Sequence, residues 1–383
     1  MSWTNTADYV VIGGGIQGVA IAYNLAKMGA QNVVVLEKDT VANGSTGRCG
    51  AGIRAQWGTE MNCRLGIASL DLFEQLSDEL GMDVGLNQCG YLMVAYKESE
   101  FATLKRSMVL QNGMGIKTRV GSREEAYEIC PGLAAEDAVG FTFHDRDGHA
   151  DPFLTTFAYQ EAAKRLGVVF HKFTECTGIN VEGGKVTGVS TTKGDIATPV
   201  VINAAGPYAQ FISKMAGVSI PNYSERHEIV ITEPVEFGVC PPMLMSFSGN
   251  YYIQQRPHGS IIGGCSPEGH PEDFGNGHTW GFAELMAQKI LKVLPRAKGI
   301  RLVRQWSGLY EMTPDRQPIL GEADDVKGFY LSTGFSGHGF MFGPETGVLM
   351  AELILKGETH LPIDMLHYRR FASGELINEP AVV

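Results

Sequence analysis

The chain of 383 residues contains no run of eighteen apolar residues, so no segment has the length of a membrane-spanning helix. It also lacks a basic stripe. Against 42 Asp and Glu there are 31 Lys and Arg, a net charge of −11, so nothing stands ready to neutralise a phosphate backbone and nucleic acid is not an expected partner. The cysteines (49, 63, 89, 130, 176, 240 and 265) form no C-x-x-C and keep no zinc spacing from histidine. Reduced thiols and no metal are therefore expected. Internal repeats and low-complexity segments are absent. The first strand is expected to begin near Asp8, which leaves no room for a leader peptide, and a cytoplasmic location is the expectation. What is present, 44% hydrophobic and 19% charged residues, describes a globular protein too long for one ordinary core, so two domains are expected.

The most informative stretch is Asp8-Tyr9-Val10-Val11-Ile12-Gly13-Gly14-Gly15-Ile16-Gln17-Gly18, an apolar run ending in G-x-G-x-x-G, with Glu37 nineteen residues beyond. Val10–Ile12 reads as a buried strand, Ile16–Met28 as a helix stopped by Gly29, and Asn32–Glu37 as the next strand. That order is the fingerprint of an adenine-dinucleotide site. Gly13, Gly15 and Gly18 allow a tight turn and close backbone approach, Gln17 opens a helix aimed at the pyrophosphate, and Glu37 with Lys38 meets the ribose.

Three further glycine-rich or small-residue segments belong with it. The loop Gly44–Arg54 carries Ser45, Thr46, Arg48, Cys49, Gly50, Gly52 and Ile53; it holds four glycines in nine residues, which a merely solvated loop rarely does. Val200–Tyr208 is a strand ending in Ala204, Ala205, Gly206 and Tyr208, where small side chains admit either a ligand or tight packing. Cys176, in a run of short strands, is placed beside them. Near the C-terminus Gly334-Phe335-Ser336-Gly337-His338-Gly339-Phe340-Met341 precedes a helix expected to start near Pro344, gathering backbone donors suited to the pyrimidine end of a flavin. A nicotinamide enzyme has no need of that last element.

The chain resembles, over essentially its whole length, the FAD-dependent amine and amino-acid oxidoreductases of the glycine oxidase and sarcosine oxidase type. The β subunits of dye-linked L-proline dehydrogenase and of heterotetrameric sarcosine oxidase are the nearest subfamilies in appearance. The matching phrases are Ser45–Arg54, Asp147-Gly148-His149-Ala150-Asp151-Pro152-Phe153, Met312-Thr313-Pro314-Asp315 and Gly334–Met341. The resemblance implies an α/β (α+β overall) fold: a Rossmann-like FAD-binding domain from 1–88, 149–220 and 326–383, with an inserted, mainly antiparallel β-sheet substrate domain from 89–148 and 221–325. It implies oxidation of the C–H bond beside an amine, with imine release. Arg54 matches the family's arginine for substrate carboxylate and flavin, and Tyr252 and Tyr310 fall where tyrosines cover the substrate, core packing being the alternative for each. His338 and Met341 complete the substrate side.

Departures from the family pattern shape the remaining expectations. Gly308 stands where monomeric sarcosine oxidases tether the flavin through cysteine, so FAD is expected to be noncovalent. Ser260, Ile261 and Ile262 stand where those oxidases keep an oxygen-activating lysine, which favours a dehydrogenase over a peroxide-forming oxidase. Met341 replaces a carboxylate-binding lysine. Pro152 occupies the place of an FMN-bearing histidine, leaving a noncovalent FMN at a subunit interface, lined by Arg48 and Cys49. The expected assembly is a catalytic subunit oxidising a small secondary amino acid, L-proline first, with an α subunit and small ferredoxin-like subunits as partners. A sarcosine- or opine-type oxidase and a non-catalytic FAD-binding subunit are the alternatives.

Overall fold

The apolar runs flanking the first glycines become the centre of a sheet in the computed structural model, which describes residues 3–266, 269 and 272–380. Tyr9–Ile12 lies parallel to Val33–Leu36 on one side and to Val201–Asn203 on the other. Val169–His171 and Phe329–Thr333 extend the parallel order, and antiparallel Ile319–Glu322 closes one edge. All four residues of Val33–Leu36 are buried, the signature of a strand covered on both faces. A three-stranded antiparallel sheet (Cys176–Glu182, Lys185–Thr191, Gly194–Ala197) lies beside it in the chain.

Helix Ile16–Lys27 packs against the helices Pro152–Arg165 and Gly339–Lys356, and Glu60–Leu80 packs on the last of these. Close crossing rests on small residues: a Cβ on Gly343 would come within 2.6 Å of Ile16, and one on Gly347 within 2.7 Å of Ala20. Trp57, Phe73, Phe335 and Phe342 fill the core beneath these helices, each contributing roughly 1.5–3 kcal/mol by burial. The C-terminal end is pinned by a buried ion pair in which Arg370 Nε and Nη2 donate to the two oxygens of Asp315 at 2.7 and 3.0 Å.

The second sheet has eight strands in the order Leu302–Met312, Tyr223–Thr232, Ile261–Gly264, Tyr251–Gln255, Met243–Ser246, Tyr91–Ala95, Gly140–His144, Arg119–Gly121. Its pairings are antiparallel except between Met243–Ser246 and Tyr91–Ala95. Helix Trp280–Val293 covers one face, with Phe282, Met286 and Ile290 buried against it.

Two boundaries differ from those expected. Ile319–Glu322 pairs with Phe329–Thr333 in the first sheet, register Ile319↔Thr333, so the inserted segment ends before it and not at residue 325. The helix expected to start near Pro344 begins at Gly339, with Pro344 inside it at the cost of one backbone hydrogen bond. In addition, residues 89–148 contain the helices Glu98–Gly113 and Arg123–Ile129 beside their strands.

Candidate cofactor and substrate site

A cavity of about 390 Å³ opens at the C-terminal ends of the parallel strands, where ligands bind in doubly wound sheets. Its floor is backbone. Gly13 has φ +113°, and a Cβ there would lie 2.3 Å from Ala204 O; one on Gly18 would lie 1.9 Å from Gly13 O. The helix Ile16–Lys27 thus points its first amides at the cavity, and Ile16 N donates to Thr46 Oγ1 at 3.1 Å. Glu37 follows the second strand and accepts from Gly14 N and Asp39 N, both at 2.7 Å; burial pushes its carboxyl up. Lys38 Nζ stands 3.3 Å over the Tyr208 ring, so Lys38 and Tyr208 close the same end with Cys176.

The loop after the second strand is held to the other sheet. Ser45 Oγ donates to Leu309 O at 2.6 Å, Arg48 Nη1 to Ser307 O at 3.2 Å, and Trp306 Nε1 to Arg48 O at 2.9 Å. Gln254 Nε2 donates to Gly50 O. Ser45, Thr46, Arg48, Cys49 and Gly50 therefore form one wall. Burial pushes the Cys49 thiol up to about 12 and the Cys176 thiol up to about 11, so both stay protonated.

The far end is aromatic. Tyr252 and Tyr310 line it with His227, whose ring stacks on Tyr310 at 3.9 Å. Gly308 leaves room there, since a Cβ would meet Arg48 Cβ at 3.1 Å; Gly337 is pressed on the Tyr310 ring, 2.5 Å from where its Cβ would be. Glu311 also lines the wall. Its carboxylate accepts from Thr333 Oγ1 at 2.8 Å and Phe335 N at 3.4 Å, and burial pushes it up to about 7. Glu311 O accepts from Ser336 N at 3.0 Å, so one residue fixes the glycine-rich turn from two atoms.

Other expected residues stand behind this wall. Gly18 lies inside the first helix. Gly52 and Ile53 form a short ladder with His149 and Gly148. Ser336 Oγ accepts from Thr313 N at 3.2 Å. Met341 packs into the helical core. Arg54 is 3% exposed, its guanidinium carbon 3.9 Å over the Trp57 ring and 5.9 Å from that of Phe247. Burial lowers its pKa, while Tyr91, Glu379 and Asp147 act the other way. His338 meets Trp57 edge-on at 4.6 Å; burial, then the nearby Arg54 charge, lowers its pKa to about 3, so it is neutral. Arg54, Trp57 and His338 thus form a packed column beneath the Gly337 turn.

These features fit a flavin dinucleotide: amide-rich floor where no Cβ has space, acid at the ribose position, aromatic far end. No group of three or more metal-ligating side chains occurs among the described residues. Glu311, His227, Trp57 and Glu379 were not picked out from sequence. Glu311 follows Tyr310 directly and precedes the Met312–Asp315 phrase, the one signal that pointed to it.

The family model described as "FAD dependent oxidoreductase" matches residues 8–353. Sarcosine oxidase subunit beta of Rhodobacter capsulatus is 29% identical over 378 residues, covering 97% of this chain and 90% of that protein. The crystal structure of L-proline dehydrogenase from P. horikoshii superposes with a TM-score of 0.94 at 38% identity, covering 98% of this chain and all of that one. Glycine oxidase from Geobacillus kaustophilus gives a TM-score of 0.88 at 25% identity, covering 96% and 99%.

Proposed function

The chain belongs to the FAD-dependent oxidoreductase family and is an amino-acid oxidoreductase of the sarcosine, proline and glycine oxidase type; from that premise we propose that it is the catalytic subunit of a dehydrogenase for a secondary amino acid, L-proline first. FAD, when bound, supplies the hydride acceptor for the C–H bond beside the amine, and the product leaves as an imine.

The chain's own residues do the rest. Arg54, in the packed column behind the Gly337 turn, is assigned the substrate carboxylate, because its planar guanidinium can donate through two nitrogens to two oxygens. Tyr252 and Tyr310 order the ring of the substrate over the far end of the cavity. Burial pushes the Tyr310 hydroxyl up to about 12 and raises the Tyr252 hydroxyl well above its ordinary value, so both remain neutral hydrogen-bond donors. His338, neutral beside Arg54, adds no competing charge. FAD is held without a covalent link, since Gly308 offers no nucleophile and Cys49 and Cys176 stay protonated.

The observation that carries the dehydrogenase reading is the placement of cations on the cavity wall. Lys38 lies over Tyr208 at the dinucleotide end, and Arg48 is engaged by Asn43 O and Ser307 O. Among the described residues, no lysine lines the Tyr252–Tyr310 end to stabilise charge developing on dioxygen. Electrons then leave through a partner: an α subunit with a noncovalent FMN, and small ferredoxin-like subunits. Phe153, Leu154 and Phe157, all exposed, support such a contact, because Phe153 touches Gly47 of the cofactor loop.

The test is anaerobic addition of L-proline, hydroxyproline, sarcosine and an opine to the protein purified with its co-expressed partners. L-proline bleaches the flavin band near roughly 450 nm, and reoxidation in air is slow. Bleaching by none of them removes the dehydrogenase assignment; fast reoxidation replaces it with an oxidase.

A further inference from the structure

Residues 54–59 connect the short strand Gly52–Ile53 to helix Glu60–Leu80, and two buried carboxylates, Asp147 and Glu379, grip this link. Asp147 accepts from Ala55 N at 2.8 Å and from Gln56 Nε2 at 3.1 Å. Glu379, 5% exposed, accepts from Gly58 N at 2.8 Å, Thr59 N at 3.0 Å, Thr59 Oγ1 at 2.7 Å and Asn62 Nδ2 at 3.0 Å. Thr59 itself makes no side-chain cap to the helix, so a carboxylate from more than 300 positions away does that work.

Between the two grips lies Trp57, whose ring underlies the Arg54 guanidinium at 3.9 Å and whose indole N–H donates to Arg54 O at 2.9 Å. The tail that brings Glu379 is fixed in turn, because Ile377 N donates at 3.2 Å to Asp315, the same carboxylate that Arg370 holds. A plain helix cap needs one or two of these contacts. The convergence of all of them on the segment that carries Arg54 calls for more.

We propose that Glu379 is a positioning residue for Arg54, so that the tail segment 377–379 sets the affinity of the site for the substrate's carboxylate. The inference rests on the assignment of Arg54 as the carboxylate ligand. Loss of the Glu379 grip lets the link 55–59 relax, Trp57 shifts, and the guanidinium leaves the geometry that two-point binding requires.

The test compares Glu379→Gln, Glu379→Asp and Arg54→Lys in the FAD-loaded protein. The probe is tetrahydrofuran-2-carboxylate, a five-membered-ring acid without the amine, titrated against the flavin absorption band. KM and kcat for L-proline, FAD content and Tm are read alongside. In Glu379→Gln the probe binds about tenfold more weakly and KM rises to match, a misplacement effect, while kcat stays within about twofold and FAD is retained. Glu379→Asp recovers part of the affinity. Should Glu379→Gln fail to hold FAD, Asn62→Ala, which removes one donor to the carboxylate, carries the same comparison. A lowered Tm with probe affinity and KM unchanged makes Glu379 a helix cap only and overturns the proposal. Unchanged probe affinity in Arg54→Lys overturns instead the Arg54 assignment, and the proposal with it.

Discussion

Glu311→Gln is the perturbation whose outcome follows most directly from the geometry. The Glu311 carboxyl is half-buried against the cofactor cavity, and desolvation raises it from 4.5 to about 7, even though Thr333, Gly334 and Phe335 donate to it. The native state thus keeps a proton that the unfolded chain has released. Between these two values the folded form binds more protons, so stability falls as pH rises, by about 1.4 kcal/mol per unit. The contribution is intact below pH 4.5 and gone above pH 7, about 3 kcal/mol in all. Glutamine keeps the carbonyl acceptor for Thr333 and cannot ionise. Urea unfolding of wild type and variant at saturating FAD, from pH 5 to 8.5, measures the difference. The two are expected to be close at pH 5, with the variant the more stable by about 3 kcal/mol at pH 8. A difference that is flat with pH, or that favours wild type as pH rises, would refute the assignment of Glu311 as a carboxyl held neutral by burial.

Gly13→Ala forces a side chain into φ +113° and against Ala204 O, so FAD affinity falls by at least about tenfold, measured by flavin fluorescence on dilution, while the second sheet keeps its protection in hydrogen exchange. Asp315→Asn strips the buried Arg370 guanidinium of its counter-charge and destabilises the protein by about 3–5 kcal/mol, read as a lowered urea midpoint. Cys49 and Cys176 resist iodoacetamide at pH 8, since thiols raised to about 12 and about 11 supply little thiolate; rapid labelling of either, located by peptide mass, contradicts so raised a thiol.

What the chain announces in its sequence is local. Gly13, Gly15 and Gly18 are spaced by the geometry of one turn, and Glu37 by the length of one helix and strand, so neighbouring residues suffice to find them. The strands at Tyr251–Gln255 and Val33–Leu36 are apolar or alternating enough to stand out. Helix Glu98–Gly113 is not: only Leu104, Ser107 and Gln111 are buried along it, which leaves no apolar stripe to see. Pro344 reads as a helix start because proline suits a first turn, but tertiary packing of Gly343 and Gly347 on the first helix extends the element back to Gly339. The column of Arg54, Trp57 and His338 joins the glycine-rich loop region to a turn nearly three hundred residues on, and the Glu379 grip comes from farther still. Neither leaves a periodic trace, because each is a product of how distant segments meet.

The bonds from Ser45 to Leu309 and between Arg48, Ser307 and Trp306 have a consequence for how the protein is made. They span roughly 260 positions, and such closures form late because chain entropy opposes them until most of the polypeptide has collapsed. A ribosome that has released only the first two-thirds of the chain has delivered the dinucleotide turn but not the wall opposite it. The cavity's wall is therefore closed only after the residues around 306–309 have joined the fold.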